Sequence, residues 1–202
     1  MKFIVTLTGP SGSGKTTLEN ELIRVGVAAR VLGFTTRDLR VGEIDGVDVH
    51  KISRQEGHAY YSDPKTVQKI EYAGNYYGKR LSDFEEAFAK SDVVTCVVTP
   101  QGIKQIRDYF QEDPDVVVLS YFVTAPTNTL IARLLTRVLS EEEPDLNYHA
   151  QRIKMLIKHD SMWGETYKRL FQTTLISEKR EDTKKLVQQI ADRVYKLRCA
   201  YM

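Results

Sequence analysis

The amino-acid sequence predicts an α/β fold in which a parallel sheet carries helices on both faces. Continuous runs of Val, Ile and Leu are typical of strands that are buried on both sides of a sheet. Five segments have this apolar character, at residues 3–7, 28–32, 93–98, 116–123 and 174–176. Segments with helical patterns alternate with them, at 15–26, 101–111, 126–139, 148–170 and 181–198. This alternation indicates a doubly wound sheet.

A glycine-rich loop follows the first predicted strand and begins the first predicted helix. It is Gly9-Pro10-Ser11-Gly12-Ser13-Gly14-Lys15-Thr16, a full G-x-x-x-x-G-K-[ST] phosphate-binding motif. In this position, backbone N–H groups and the positive end of the helix point at one spot, where a triphosphate can bind. The sequence therefore predicts a sheet of the P-loop NTPase type that binds ATP or GTP.

Two side chains of this phosphate loop (residues 9–16) have chemical roles that the motif predicts. Lys15 would reach the β- and γ-phosphates, and the Thr16 hydroxyl would coordinate Mg²⁺. The residues that we expect to bind the nucleotide are Gly12, Ser13, Gly14, Lys15, Thr16 and Thr17.

Composition limits the other function classes. The 202 residues suffice for one sizeable core, and a net charge of +2 gives no basic excess for nucleic-acid binding. The apolar stretch at the N-terminus is far shorter than the roughly twenty residues of a membrane span, so no membrane partner is predicted. Cys96 and Cys199 lie far apart and are expected to be free thiols, which fits a reducing cytoplasm.

Two segments interrupt the β-α rhythm of what we interpret as one domain over residues 1–202. We expect residues 34–90 to form an inserted acceptor lobe and residues 137–152 to form a short lid. The core would then comprise residues 1–33, 91–136 and 153–202. An acceptor site and a cover for the donor are what a kinase of a small phosphorylated molecule needs, because the γ-phosphoryl group must be kept from water.

Two strings inside the acceptor lobe are long and specific. Residues 35–50 read TTRDLRVGEIDGVDVH, and residues 71–78 read EYAGNYYG. They resemble the T-T-R-x-x-R-x-G-E-x-D-G-x-D-Y-x-F and E-W-A-x-x-x-G-N-Y-Y-G patterns of guanylate kinase. The resemblance extends over nearly all of residues 3–195.

The resemblance implies an acceptor site in the lobe. Arg37 and Arg40 match the arginines that hold the phosphate of the nucleoside monophosphate, a task for which paired guanidinium groups are suited. Tyr77 matches a residue whose hydroxyl contacts the same phosphate. Glu71 matches the carboxylate that accepts hydrogen bonds from guanine N1–H and the 2-amino group.

The resemblance also implies a donor site beyond the phosphate loop. Arg133 and Arg137 lie four residues apart on one helix and so share a face, and Arg152 lies on the next helix. They match arginines that bind donor phosphates and stabilise charge on the transferring group. With Lys15, these three form the expected catalytic set.

Several positions depart from the family pattern. Gly33 replaces a Ser that helps to recognise guanine, Val49 replaces a Tyr that contacts the phosphate, and Lys79 replaces a Ser or Thr. Val97 and Thr99 replace the two aspartates of a D-x-D string. One hypothesis is that Lys79 supplies a positive charge to the acceptor phosphate in place of the missing Tyr.

The leading hypothesis is an ATP-dependent nucleoside monophosphate kinase that uses Mg²⁺ and takes GMP or dGMP as acceptor. A kinase for a different monophosphate is an alternative, since the altered positions remove base contacts. A second alternative is a nucleotide-binding sensor or interaction module with weak catalysis. Oligomeric state is not predicted.

Overall fold

The computed structural model describes residues 1–39, 42–72, 74–140, 144–179 and 181–201. The strands are β1 (Lys2–Thr8), β2 (Ala29–Arg30), β3 (Phe34–Thr35), β4 (His50–Lys51), β5 (Thr66–Tyr72), β6 (Asn75–Arg80), β7 (Val93–Val97), β8 (Val116–Thr124) and β9 (Thr173–Ile176). The helices are α1 (Lys15–Arg24), α2 (Arg54–Ser62), α3 (Leu81–Phe88), α4 (Pro100–Phe110), α5 (Thr127–Leu139), α6 (Leu146–Lys158), α7 (Trp163–Thr166) and α8 (Asp182–Ala200).

Five strands form a central sheet in the order β2-β7-β1-β8-β9, and all their pairings are parallel. The glycine-rich loop follows β1, which lies in the middle of this sheet. Its position agrees with the predicted fold class.

Helices cover both faces of the central sheet. On one face, Phe3 and Val5 of β1 pack with Leu18 of α1 and Ile190 of α8. On the other face, Ile4 of β1 packs with buried side chains of α3 and α4, namely Phe84, Ala87, Ile103 and Ile106. The alternation of residues along β1 therefore supplies both halves of the core.

A second, four-stranded sheet has the order β4-β3-β6-β5 and lies within residues 34–80. Helix α2 packs on it, where Tyr61 and Tyr76 place their ring centroids 5.2 Å apart. Helix α3, although it falls within the predicted lobe, packs through Phe84 against the core side chains of β7. The division into core, lobe and lid stays a prediction.

The predicted helix at 148–170 is wrong beyond its first part. Helix α6 ends at Lys158, and His159 leaves the helical region with φ −131° and ψ −58°. Two 3₁₀ turns and the short α7 follow. The segment after the break lies close to β8, since a Cβ built on Gly164 would lie 2.8 Å from Phe122 Cε1. Tertiary contacts of this kind override local helical patterns.

Two further observations concern the chain as a whole. Cys96 is buried and Cys199 is exposed, and both are free, as predicted. Among the described residues, no helix combines the length and the apolar character that crossing a membrane requires.

Candidate nucleotide site

The phosphate loop has a backbone that only glycine accommodates at certain positions. Gly12 and Gly14 have φ of +83° and +89°, in the left-handed region. A Cβ on Gly9 would lie 1.9 Å from the Val123 carbonyl oxygen of β8. The glycines therefore allow the loop to close tightly over the end of β1.

Lys15 folds back across this loop. Its Nζ donates to the Pro10 carbonyl at 2.7 Å and lies 3.3 Å from the Ser13 Oγ. Ser13 is fully buried, whereas the side chains of Thr16 and Thr17 are exposed on the first turn of α1. The predicted nucleotide-binding residues thus lie together in the phosphate loop and the first turn of α1.

Two of the predicted arginines contact the same loop from different helices. Arg133 of α5 donates to the Gly12 carbonyl at 3.1 Å, and to the carbonyls of Ser177 and Glu178 at 2.9 and 2.8 Å. Arg152 of α6 donates to the Ser11 Oγ. Arg137, one turn after Arg133, has an exposed side chain. Helices α5 and α6 pack through Leu130, Leu134 and Leu156, which positions both arginines.

On the acceptor side, Arg37 is held by a bidentate ion pair. Its two terminal nitrogens each lie 2.8 Å from an oxygen of Glu43. Burial opposes the charge, but the Glu43 carboxylate outweighs it and raises the pKa of Arg37 above its ordinary value. Tyr77 and Tyr148 are close enough to interact electrostatically with the same guanidinium. Arg40, predicted as its partner, lies outside the described residues.

Tyr148 lies near two of the predicted site arginines, Arg37 and Arg152. Its ring lies under the Arg152 guanidinium, 5.4 Å from ring centroid to Cζ. Because Tyr148 also lies near Arg37, one tyrosine of α6 is close to both arginines. The sequence patterns contain no signal for this residue.

The β5–β6 hairpin separates two residues that were predicted to share a site. Tyr77 pairs with Ile70, and Glu71 pairs with Tyr76. Side chains alternate between the faces of a strand, so Glu71 lies on the face opposite Tyr77. Glu71 is exposed there. A binding role for Glu71 stays a prediction.

A chain of polar contacts joins the helix after the phosphate loop to the acceptor lobe. Arg30 of β2 places its Nε 3.4 Å from an oxygen of the buried Glu19 of α1. Its NH1 donates to Asp48 and to the Val47 carbonyl at 3.0 and 3.1 Å. The guanidinium of Arg30 thereby connects helix α1 to the predicted acceptor lobe.

Comparison with known proteins agrees with this architecture. A protein-family model described as guanylate kinase matches residues 1–194. This chain belongs to the guanylate kinase family. Guanylate kinases are nucleoside monophosphate kinases, a class of transferases, so the chain is placed among enzymes.

Individual guanylate kinases are similar to this chain at modest identity. A protein named guanylate kinase from Bartonella henselae is 28% identical over 204 residues, which cover 99% of this chain and 86% of that protein. One from Enterococcus faecalis is 30% identical over 152 residues, covering 74% of this chain and 71% of that protein. One from Streptococcus mutans is 32% identical, covering 75% and 69% respectively.

A solved structure shows the same fold. The crystal structure of guanylate kinase from Anaplasma phagocytophilum covers 99% of this chain and 86% of its own, with a TM-score of 0.59 at 20% identity. The guanylate kinase α/β fold is therefore confirmed for this chain.

Asp160 is a residue beside the phosphate loop that the sequence reasoning missed. Its carboxylate accepts a hydrogen bond from the Ser11 N–H and interacts with Lys15, His159 and Arg152. Burial outweighs these favourable contacts and raises the pKa of Asp160. The helix break at His159 turns this carboxylate toward the loop, and no motif in the sequence indicates that break.

The Thr16 hydroxyl is the side chain at the phosphate loop that could contribute to a magnesium site. Among the described residues, no cluster of three or more His, Cys, Asp or Glu side chains could hold a metal ion alone. Mg²⁺ commonly takes few protein ligands together with substrate phosphates and water. The exposed Thr16 hydroxyl beside the phosphate loop meets that requirement.

Proposed function

We propose that this guanylate kinase family member transfers the γ-phosphoryl group of ATP to GMP or dGMP. The observation that carries this proposal is the phosphate loop with Lys15, contacted by Arg133 and Arg152. An acceptor-side arginine, Arg37, lies beside the same lid-side tyrosine as Arg152. The arginine predicted to bind the acceptor and one of those predicted to bind the donor therefore lie near the same residue, Tyr148.

The reaction requires positioning and charge neutralisation more than covalent chemistry. A phosphate oxygen of the acceptor attacks the γ-phosphorus, the bond to the β-phosphate oxygen breaks, and ADP and the nucleoside diphosphate result. In our proposal Lys15, Arg133, Arg137 and Arg152 stabilise the negative charge on the transferring group and on the departing ADP.

The remaining predicted residues would hold the substrates. The backbone of Gly12, Ser13 and Gly14, with Thr16 and Thr17, would bind the donor phosphates. Arg37, Arg40 and Tyr77 would bind the acceptor phosphate, and Glu71 the base. The Thr16 hydroxyl would hold Mg²⁺, which would supply positive charge against the phosphates.

The proposal also covers organisation and location. We assign acceptor binding to the lobe at 34–90 and closure over the donor to the lid at 137–152. The exposed free thiol of Cys199 supports a reducing compartment such as the cytoplasm. The near balance of charge supports small-molecule partners rather than nucleic acid.

A coupled assay of ADP production from Mg-ATP would test the proposal, with GMP, dGMP, AMP, CMP, UMP and dTMP as acceptors. Lys15→Ala should abolish turnover, whereas Lys185→Ala, an exposed lysine on α8, should leave it unchanged. Turnover with GMP or dGMP that depends on Lys15 would support the proposal. Turnover with another monophosphate alone would overturn the guanine assignment, and no turnover with any acceptor would favour a nucleotide-binding module.

A further inference from the structure

A guanidinium to which the proposed reaction gives no role lies between helix α1 and the predicted acceptor lobe. It belongs to Arg30 of β2, whose side chain is 17% exposed. The backbone here is fixed in the central sheet, because Arg30 pairs with Thr95 of β7 and the Val31 N–H donates to the Thr95 carbonyl at 2.9 Å. The side chain of Arg30 therefore projects from a well-anchored strand.

One side of this guanidinium contacts the helix that begins at the phosphate loop. The Arg30 Nε lies 3.4 Å from an oxygen of Glu19, which follows Lys15 by four residues, and NH2 donates to the Asn20 side-chain oxygen. Glu19 is 7% exposed. Burial raises the pKa of Glu19, and Arg30 opposes this shift because it favours the carboxylate. Arg30 is therefore the charge partner of a buried acid on α1.

The other side of the guanidinium contacts a turn of the predicted lobe at residues 44–48. NH1 of Arg30 donates to Asp48 Oδ1 at 3.0 Å and to the Val47 carbonyl at 3.1 Å. The second oxygen of Asp48 accepts from the Ile44 N–H at 3.0 Å. One carboxylate therefore joins Arg30 to both ends of this turn.

Polar contacts rather than apolar packing hold the turn at 44–48. Ile44 and Val47 are 59% and 57% exposed, so their side chains contribute little buried area. The Ile44 carbonyl accepts from the N–H groups of Val47 and Asp48 at 3.2 and 2.9 Å, which fixes the shape of the turn. The contacts with Arg30 fix its position relative to the central sheet.

The turn begins directly after the residue that holds Arg37. Both terminal nitrogens of Arg37 lie 2.8 Å from the carboxylate oxygens of Glu43, and Glu43 precedes Ile44. A bidentate pair fixes the orientation of a guanidinium relative to its carboxylate. The orientation of Arg37 therefore depends on the position of Glu43, and that position depends on the turn.

We propose that Arg30 and Asp48 are positioning residues that orient Arg37 toward the acceptor phosphate through the turn at 44–48. This inference rests on the proposed function, in which Arg37 binds that phosphate. Neither residue needs to touch the substrate in this role. Both would hold the acceptor arginine in a fixed relation to α1 and Lys15, and misplacement of reacting groups by about 1 Å can lower a rate by about 10²-fold.

Two mild variants test the inference. Asp48→Asn keeps the size of the side chain but turns one oxygen into a donor, so one of its two contacts is lost. Arg30→Lys keeps a cation beside Glu19, but an ammonium cannot span α1 and the turn as the planar fork does. Complete removal of the Arg30 charge would leave Glu19 buried without its partner and would test folding instead.

The expected result is a selective effect on the acceptor. In both variants the KM for GMP should rise about 3- to 10-fold, the effect of one hydrogen bond, while the KM for ATP should change less than about 2-fold. Arg24→Lys is the matched control, because Arg24 forms a bidentate pair with Glu21 on the exposed side of α1. Unchanged thermal denaturation verifies folding. An unchanged KM for GMP in both variants would overturn the inference.

A double-mutant cycle with Arg37→Gln distinguishes positioning from general support of the lobe. If Asp48 acts through Arg37, Asp48→Asn should raise the KM for GMP in the wild-type background and change it little in the Arg37→Gln background. Additive effects of the two substitutions would overturn the inference, because Asp48 would then act on the acceptor independently of Arg37.

Two measurements without turnover separate this inference from the proposed function. Calorimetric titration with GMP gives the same cycle from dissociation constants. Amide hydrogen exchange needs no acceptor, and exchange in residues 43–48 should accelerate about 10-fold in Asp48→Asn and Arg30→Lys but not in Arg24→Lys. Absent GMP turnover in the wild type would refute the proposed function alone. Unchanged exchange in both variants would overturn the positioning role whatever the acceptor.

Discussion

Arg133 and Gly12 are 121 residues apart in sequence, yet the arginine NH1 donates to the glycine carbonyl at 3.1 Å. The other terminal nitrogen of Arg133 donates to the carbonyls of Ser177 and Glu178, just after β9. One planar guanidinium therefore ties α5, the phosphate loop and the end of the sheet together. A residue predicted for catalysis also fixes the shape of the loop.

Replacing Arg133 by Lys keeps the charge but removes this fork. We expect kcat to fall about 10²-fold, as for the loss of one preorganised donor, because an ammonium cannot hold all three carbonyls and a phosphate. Stability should fall by about 1–3 kcal/mol, a decrease of several degrees in Tm. Kinetics and thermal denaturation would measure both, with Arg169→Lys, an exposed site, as control. An unchanged Tm would mean that the backbone contacts contribute nothing.

Tyr148→Phe separates the two contacts of that tyrosine. The ring that underlies Arg152 remains, while the hydroxyl, the polar group of Tyr148 near Arg37, is lost. The KM for the acceptor should rise about 2- to 10-fold, the effect of one hydrogen bond, with little change in the KM for ATP. Tyr195→Phe, on an exposed part of α8, should change neither. A selective change in the KM for ATP would assign the hydroxyl to the donor instead.

Asp160 predicts a pH dependence of stability. Burial raises its pKa in the folded protein above 3.8, the ordinary value for Asp. Between the two pKa values the folded state binds more protons than the unfolded state, so this group makes stability fall as pH rises through that window. Asp160→Asn should remove the decrease. Urea unfolding from pH 3.5 to 8 would measure this. The free energy of unfolding of the variant, relative to that of the wild type, should increase as pH rises and then become constant.

This expectation would be contradicted if the free energy of unfolding of the wild type increased relative to that of Asp160→Asn as pH rises. It would mean that Lys15 and Arg152 outweigh the burial of the carboxylate.

The two thiols should differ in reactivity. Burial raises the pKa of Cys96 to about 12, so its reactive thiolate is scarce at pH 8. Cys199 is exposed. Ellman's reagent should modify one thiol quickly in the native protein and both in denaturant, and peptide mapping should assign the fast site to Cys199. Rapid modification of both in the native state would contradict the buried placement.

Local rules predicted the central sheet because its strands are continuous apolar runs and its first loop carries a complete motif. The same rules failed at His159, where the chain leaves the helix and continues close to Phe122 at Gly164. They also could not set the hairpin register, in which Tyr77 pairs with Ile70 and Tyr76 with Glu71. Asp160 was missed because it follows the helix break, and Tyr148 because its position depends on the packing of α6 against α5.

The hydrogen bonds of Lys15 to its own loop define a threshold for ligands. Its ammonium already donates hydrogen bonds to the Pro10 carbonyl and the Ser13 hydroxyl. An anion can bind Lys15 only if the new interaction is more favourable than these internal hydrogen bonds. A lone phosphate competes poorly on those terms, whereas a polyphosphate chain that engages the whole loop can exceed them. Under the proposed function, these internal hydrogen bonds of Lys15 would therefore favour a nucleoside triphosphate over a single phosphate.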